Sequence, residues 1–178
     1  MIKKKSGKRV KNGIFKINPF PSEIENNILN QIKIVKNKKI LDLFSCTGKF
    51  GIKLKQKGVF SVKFIEKNKN YTNEIKKKIK KKKFKNLKKL NKDVFKFLKL
   101  NKEKKYDLIF IDPPYEIKLF KKLFIKLIKI LKKNGTIIYR RKTNINNRKI
   151  ILKGFKIKKK IKKNNEIIFI KKNGIKKC

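Results

Sequence analysis

The chain has 178 residues and carries 57 Lys or Arg against 11 Asp or Glu, so its formal net charge is +46. This length suits one domain with a sizeable core, and two cysteines and no histidine exclude a disulfide-stabilised scaffold, imidazole catalysis and histidine-based metal sites. No apolar run approaches the roughly 20 residues of a membrane helix, and none follows the basic start, so we expect no membrane span, no signal peptide, no bound metal and a cytoplasmic location.

The predicted elements alternate between strands and helices. A basic arm over residues 1–20 precedes one domain over residues 21–178. In chain order, the domain is predicted to contain a helix from Ser22 to about Val35, a strand over 38–45, a turn and a helix ending near Lys57, a strand over 61–66, a helix over 70–83, a strand over 86–93, a helix over 94–100, a strand over 106–112, a helix over 117–131 with Gly135 as its C-terminal stop, a strand over 136–140, and a hairpin of strands 155–161 and 166–172. This order predicts an α/β fold: a mostly parallel sheet with helices on both faces, and a C-terminal antiparallel hairpin at one edge.

The first segment that suggests chemistry is LDLFSCTGKFGI, residues 41–52. It is a predicted strand that contains an acid, Asp42, and then turns through small residues into a helix. Open parallel sheets bind ligands at the carboxyl ends of their strands, and small residues allow a ligand to approach the backbone. The N–H groups at the helix start favour an anionic group. An ordinary strand-to-helix turn would have the same pattern.

Two further acids follow strands. Glu66 ends the second strand, where a carboxylate can accept hydrogen bonds from both hydroxyls of a ribose, or can form a salt bridge with Lys63 or Lys67. Asp93 follows the third strand and can accept a hydrogen bond from an adenine amino group, or can cap the helix that begins at Val94. Acids at strand ends are conspicuous in so basic a chain.

The sharpest motif is Asp112-Pro113-Pro114-Tyr115, directly after the apolar strand YDLIFI. The two prolines fix the backbone and remove two N–H donors, so the Asp112 carboxylate and the Pro113 carbonyl form a pair of acceptors. Such a pair suits an exocyclic –NH₂ group, and accepting both of its hydrogens raises the lone-pair density on nitrogen. Tyr115 can stack on the face of a base. The motif therefore predicts a site for an aromatic amine.

The run DLFSCTGKFG, Glu66, Asp93 and DPPY, in this order, resembles the class I S-adenosylmethionine-dependent methyltransferases that act on exocyclic base amines. The basic start and YDLIFIDPPY are similar to the RsmD-type enzymes, which methylate N2 of a guanine in small-subunit (16S) ribosomal RNA. The resemblance covers about residues 7–170. It implies a single Rossmann-like domain, S-adenosyl-L-methionine as the cofactor, and ribosomal RNA or the small ribosomal subunit as the partner.

The resemblance also implies a set of site residues. Asp112, Pro113 and Tyr115 would hold the target base. The cofactor site would contain Asp42, Phe44, Ser45, Thr47, Gly48, Glu66, Lys67, Asp93 and Val94. In that site the first acid and the turn would border the methionine part, Glu66 would hold the ribose hydroxyls, and Asp93 with Val94 would face the adenine.

The chain departs from the family pattern at three places. Cys46 stands where the family usually has glycine, so a side chain there is expected to crowd the cofactor. Asn18-Pro19-Phe20 replaces an Arg-Pro-Thr run. Arg140 and Arg141 replace an acidic residue that often follows the fifth strand.

The charge favours RNA as the partner. The arm lysines Lys3, Lys4, Lys5 and Lys8, with those over residues 76–83, are expected to bind phosphates without reading sequence. Lys, Ile, Asn and Phe have codons rich in A and T, so part of the charge is expected to reflect base composition. The high net charge also argues against self-association, so a monomer is expected.

Three functions remain open from the sequence. The first is methylation of guanine N2 in 16S ribosomal RNA by direct transfer. The second is methylation of adenine N6 or cytosine N4, because DPPY suits any exocyclic amine. The third is a ribosomal-RNA-binding assembly factor that has lost catalysis, which Cys46 and the missing upstream Arg suggest.

Overall fold

The structure is a computed structural model that describes residues 22–32, 36–101, 106–114, 120–143, 154–162 and 164–172. The chain divides into two compact units, Met1–Gln31 and Ile32–Cys178. The first contains helix α1, Ser22–Gln31, with Ile24, Ile28 and Leu29 buried. The predicted arm lies outside the described residues, so its boundary stays a prediction. Among the described residues no helix is long and apolar enough to span a membrane.

The second unit alternates strands and helices as the sequence predicts. Its elements are β1 (Lys39–Leu43), α2 (Lys49–Gln56), β2 (Ser61–Glu66), α3 (Lys69–Lys81), β3 (Leu87–Asn91), α4 (Val94–Leu100), β4 (Tyr106–Ile111), α5 (Phe120–Ile130), β5 (Leu131–Lys142), β6 (Phe155–Lys162) and β7 (Asn165–Lys172). The bounds of β2 and α4 match the prediction, and most other ends differ by one to three residues.

The strands form one seven-stranded sheet in the order β3-β2-β1-β4-β5-β7-β6. Strands β1 to β5 are parallel to one another, whereas β7 pairs antiparallel with both β5 and β6. This arrangement confirms the predicted α/β fold and its C-terminal hairpin. The chain runs outward from β1 to β3 and then returns to place β4 beside β1. The order therefore reverses between β1 and β4, where open α/β sheets bind their ligands.

The two faces of the sheet are covered by different helices. On one face, α4 and α5 cover a core that includes Leu41, Leu43 and Ile109, all with no exposed surface. On the other face, Phe50 of α2 stacks on Phe110 of β4 with ring centroids 3.9 Å apart. Because both faces are buried, β1 and β4 are nearly continuous apolar strands. The exception is Asp42, which lies in the middle of that apolar pattern.

Two predicted helix ends differ from the structure. Helix α1 ends at Gln31, before the predicted end near Val35, which lies outside the described residues. The prediction that Gly135 is the C-terminal stop of α5 is wrong, because α5 ends at Ile130 and Gly135 lies within β5, which begins at Leu131, five residues before its predicted start. The reason for this glycine is space: a Cβ atom there would lie 2.6 Å from Leu131 Cδ1, and its φ is not left-handed.

Candidate active site

The site lies at the carboxyl ends of β1, β2 and β4. Leu43 of β1 is in register with Ile65 on one side and with Ile111 on the other. The polar residues that follow these strands therefore come together at one edge of the sheet. This edge is the reversal point described above.

The turn after β1 has an unusual backbone. Phe44, Cys46 and Gly48 have φ angles of 55°, 48° and 70°, so the left-handed conformation recurs at every second residue. Side chains other than glycine are strained there. The family's glycine at the position of Cys46 has a physical reason in this conformation.

Ser45 joins the turn to the neighbouring strand. Its hydroxyl donates to the Asp42 carbonyl at 2.6 Å, lies 3.2 Å from the Ile65 carbonyl, and accepts from the Ile65 N–H at 3.0 Å. The Ser45 N–H also donates to the Ile65 carbonyl at 3.2 Å. The backbone therefore uses this hydroxyl, and a cofactor contact by Ser45 would come from its main chain.

Asp42 supports the first turn of α2. Its side chain is 1% exposed, and Oδ2 accepts from the Gly51 N–H at 3.2 Å. Burial raises the pKa of this carboxyl well above its ordinary value, and the charges of Asp112 and Glu66 add to the rise, while the Gly51 hydrogen bond opposes it. A Cβ atom at Gly51 would lie 2.9 Å from Asp42 Oδ2 and 2.4 Å from Phe64 Cε1. Gly51 is thus required for the helix to approach the acid.

Glu66 connects the turns after β1 and β2. Its Oε2 accepts from the Cys46 N–H at 2.9 Å, and its Oε1 accepts from the Asn68 N–H at 2.8 Å. Asn68 caps α3 through its side-chain oxygen. Lys67 is exposed and offers its carbonyl to Asn91 Nδ2 at 2.8 Å. Glu66 therefore sets the spacing of two loops at the edge where the ribose is predicted to lie.

Thr47 and Gly48 are fixed mainly through their backbone. The Thr47 carbonyl accepts from Lys78 Nζ at 2.8 Å, and the Gly48 N–H donates to the Ser45 carbonyl at 2.8 Å. Sequence reasoning missed Lys78, because nothing distinguishes it from the other lysines of α3. Its spacing of four residues from Glu74, with which it forms an ion pair at 3.8 Å, is a sequence signal for that ion pair but not for the contact with Thr47.

Asp93 is the N-cap of α4, as one of the two predicted alternatives required. Its Oδ1 accepts from the N–H groups of Phe95 (2.9 Å) and Lys96 (3.0 Å). Val94, the first residue of α4, is buried in the hydrophobic core. The adenine role of both residues stays a prediction, and a cap leaves the second carboxylate oxygen of Asp93 for it.

Asp112 is held by an arginine from the neighbouring strand. Its Oδ1 accepts from Arg140 Nε at 2.7 Å, and the Arg140 side chain is 5% exposed while that of Asp112 is 20% exposed. Burial raises the pKa of the Asp112 carboxyl, and the Arg140 guanidinium partly offsets this rise. Pro113 is buried, and Tyr115 lies outside the described residues. Sequence reasoning treated Arg140 only as a departure from the family, because the pairing depends on the register of β4 with β5.

Arg141 lies on the opposite side of β5 and has a different partner. It is in register with Glu166 of β7 and forms an ion pair with it, and Lys159 of β6 binds the other Glu166 oxygen at 3.3 Å. The two adjacent arginines therefore pair with different acids: Arg140 with Asp112, and Arg141 with Glu166 of the hairpin.

Cys46 is not prepared to act as a nucleophile. Burial raises the pKa of its thiol to about 11, and the nearby carboxylates of Glu66, Asp112 and Glu74 add to the rise. The thiol form therefore dominates at neutral pH. Among the described residues, no group of His, Cys, Asp or Glu is arranged to hold a metal ion.

The doubly wound sheet and the acids at its reversal point define a class I methyltransferase fold. The Escherichia coli protein yhhF, assigned as a methyltransferase, superposes with a TM-score of 0.79 at 17% identity over 88% of this chain and 89% of its own. SMU.776, whose structure holds S-adenosylhomocysteine, superposes with a TM-score of 0.64 at 19% identity over 84% of this chain and 48% of its own.

The family model described as conserved hypothetical protein 95 matches residues 6–171, so the chain belongs to this family, that of the RsmD-type proteins. The ribosomal RNA small subunit methyltransferase D of Buchnera aphidicola (subsp. Acyrthosiphon pisum) is 33% identical over 126 residues. That match covers 68% of this chain and 65% of the relative, so the chain spans somewhat less than two thirds of that protein. The predicted family is confirmed.

Proposed function

We propose that this protein methylates the N2 amine of a guanine in small-subunit (16S) ribosomal RNA, with S-adenosyl-L-methionine as the methyl donor. The observation that carries the proposal is the placement of Asp112. It follows β4 at the reversal point, it is partly exposed, and one of its oxygens is held by Arg140. The name of the Buchnera relative supports the RNA substrate.

The residues present fit a cationic cofactor. The charges of Asp112 and Glu66 both raise the pKa of Asp42, so three acids lie close together although the chain has only 11. Three carboxylates at one sheet edge favour a sulfonium cation in a chain that otherwise repels positive charge. When bound, S-adenosylmethionine would supply an electrophilic methyl group on its sulfur.

The cofactor would be held mainly by loop backbone and two carboxylates. Glu66 would accept hydrogen bonds from the ribose hydroxyls with the lone pairs that Cys46 and Asn68 leave. Asp93 would accept from the adenine amine with the oxygen that does not cap α4. The turn from Phe44 to Gly48, together with Lys67, would complete the site. Asp42 would act indirectly, by holding the first turn of α2 through the Gly51 N–H.

The target base would be held by the DPPY segment. Asp112 and the Pro113 carbonyl would each accept a hydrogen of the amine, which directs the nitrogen lone pair away from them. Asp112 would also stabilise the positive charge that would develop on nitrogen as the bond to the methyl carbon formed and the carbon–sulfur bond broke, until the amine lost a proton to solvent. Tyr115 would stack on the base. Orientation of this kind supplies much of the rate in such reactions.

The RNA would be bound through its phosphates. Lysines on α3, including the exposed Lys76, Lys77 and Lys80, offer charge without base contacts. Such binding weakens steeply as salt rises. A monomer that acts in the cytoplasm, or wherever ribosomal subunits are assembled, fits this substrate.

The test uses labelled S-adenosylmethionine and small ribosomal subunits that lack their native base methylations, followed by nucleoside analysis. We expect label in N2-methylguanosine. Label in N6-methyladenine or N4-methylcytosine would replace the proposed base, and RNA binding without label or cofactor binding would favour the non-catalytic assembly factor.

Asp112→Asn tests the role of the site acid. The variant should lose about 100-fold or more of the methylation rate, because the amide has one acceptor oxygen and no charge, yet it should bind S-adenosylhomocysteine like the wild type. Asp107→Asn is the matched control. It removes the same charge from the other end of β4, where Asp107 pairs with Lys38 and Lys132. Equal rates in both variants would contradict the role of Asp112.

A further inference from the structure

The pair of Arg140 and Asp112 is the one ion pair at the described site whose cation is almost wholly buried. Nε of Arg140 donates to Asp112 Oδ1 at 2.7 Å, and Nη1 lies 3.4 Å from Asn165 Oδ1. A guanidinium that is 5% exposed cannot reach RNA phosphates, unlike the surface lysines. Burying a charge costs several kcal/mol unless it is paired, so Arg140 requires a partner inside the fold.

Without Arg140, the buried position of Asp112 would disfavour its charged form. Burial raises its pKa, and among the described residues Arg140 is the group that lowers it. The other titratable groups that face it are Asp42 on β1, Cys46 in the turn after β1, and Tyr139 on β5. None of these three is a cation. Within the part of the chain that the structure describes, Arg140 is therefore the group that favours the charged state of Asp112.

We propose that Arg140 is a positioning residue: its Nε–H holds Asp112 Oδ1, keeps the carboxylate charged, and turns the other oxygen toward the acceptor amine. The inference rests on the proposed function. It assigns a use to a side chain that the family resemblance leaves unexplained, since an acid is usual after the fifth strand. The planar guanidinium suits this task because its donors have fixed directions.

The neighbouring arginine offers a matched control. Arg141 lies one residue further along the same strand, carries the same charge, and is paired with Glu166 on the other side of the sheet. Arg141→Gln therefore changes the net charge as Arg140→Gln does, without removing the partner of Asp112.

The first measurement is independent of activity. The chain has four aspartates, at 42, 93, 107 and 112, so a carboxyl-carbon NMR titration of aspartate-labelled protein is simple to assign with Asp112→Asn as the reference. In Arg140→Gln the pKa of Asp112 should rise above its wild-type value. It should stay close to that value in Arg140→Lys and in Arg141→Gln. An unchanged Asp112 titration in Arg140→Gln would overturn the proposal.

The second measurement is the pH dependence of methylation. An acid with a raised pKa is protonated over a wider pH range, so the acidic limb of kcat should move to higher pH in Arg140→Gln. At neutral pH kcat should fall about 10- to 100-fold, with KM for S-adenosylmethionine nearly unchanged and part of the loss recovered at high pH. Arg140→Lys, which retains the charge, should keep the limb in place and lose rate through orientation alone.

The outcomes separate this proposal from the proposed function. A wild-type protein with no methylation of any RNA would refute the function, while the NMR titration would still decide whether Arg140 keeps Asp112 charged. An active wild type with an equally active Arg140→Gln, or with the same shifted limb in Arg141→Gln, would refute the positioning role alone. If Arg140→Gln does not fold, Arg140→Lys decides: full activity with an unshifted limb would contradict the need for a guanidinium.

Discussion

Asp42 on β1 and Asp112, which directly follows the adjacent strand β4, have different surroundings and partners. Asp42 is 1% exposed and is bound by the backbone N–H of Gly51. Asp112 is 20% exposed and is bound by the side chain of Arg140. A backbone donor fixes a helix to a strand, whereas a side-chain cation holds a carboxylate at an accessible surface. Asp42 therefore supports the turn after β1, whereas Asp112 is accessible, as its proposed contact with a substrate requires.

The same contrast extends to the loops around each acid. The loops of the proposed cofactor site are held by several hydrogen bonds to the backbone, in which Ser45 and Glu66 each serve two segments. The proposed base site depends on the side-chain pair of Asp112 and Arg140. Substitutions at the proposed cofactor site should therefore affect stability and cofactor affinity together, whereas those at the proposed base site should affect rate.

The largest expected effect comes from Gly51→Ala. The new Cβ atom would lie 2.4 Å from Phe64 Cε1, so we expect a loss of about 1–3 kcal/mol in the free energy of unfolding, measured by urea denaturation. The loss should shrink when Phe64→Leu is added, because the clashing ring atom is then absent. Additive losses in the double variant would show that the ring is not the cause.

Glu66→Gln should follow. The amide can accept from only one of the N–H groups of Cys46 and Asn68 and presents a donor to the other, and it offers no charge to a ribose. Affinity for S-adenosylhomocysteine should fall about 10- to 100-fold, measured by calorimetry. Glu74→Gln removes an acid from the exposed face of α3 and should bind normally. Equal binding by both variants would contradict the ribose role.

Cys46→Gly should have a smaller effect in the opposite direction. The φ of 48° strains a side chain and not glycine, so the variant should be more stable by up to about 1 kcal/mol. Cys46→Ala keeps the Cβ atom and removes the thiol. If alanine stabilises the protein as much as glycine does, the thiol and not the backbone is responsible.

The smallest expected effect comes from a change of pH alone. In the wild type, Asp42 should titrate above Asp112, and Asp107 should titrate below its ordinary pKa because the Lys39 N–H and the ammonium of Lys132 stabilise its charge. For Asp42 and Asp112, the raised folded-state pKa means that stability falls as pH rises above 3.8, whereas the lowered pKa of Asp107 means that its contribution is lost as pH falls below 3.8. The carboxyl-carbon NMR titration described above measures this order of pKa values. A higher pKa for Asp112 than for Asp42 would contradict the stronger effect of burial on Asp42.

Much of the fold was predictable because its elements carry local signals. The bounds of α4 follow from Asp93, a good N-cap, and those of β2 follow from its apolar pattern. The predicted stop at Gly135 failed because a glycine required for packing looks the same in sequence as one required for its φ. Local patterns therefore located elements better than they assigned roles to single residues.

The candidate site was predictable in part. The acids and the DPPY motif stand out because each lies in or just after the carboxyl-terminal part of a strand. The pairing of Arg140 with Asp112 was not predictable, since it depends on how β5 aligns with β4. The contact of Lys78 with Thr47 was hidden among many identical lysines. The missing information is long-range register, which no local spacing contains.

Because the antiparallel hairpin lies at the C-terminal end of the sheet order in sequence, the site is completed only late in translation. Asn165 contacts Arg140, and Glu166 pairs with Arg141, so the strand that carries both arginines gains these partners only from β7. Between Asp112 and Asn165 lie more than 50 residues of chain. During translation, the acid, its cation and the hairpin amide meet only after β7 has left the ribosome. A nascent chain that has folded through β4 therefore still lacks the environment of its acid.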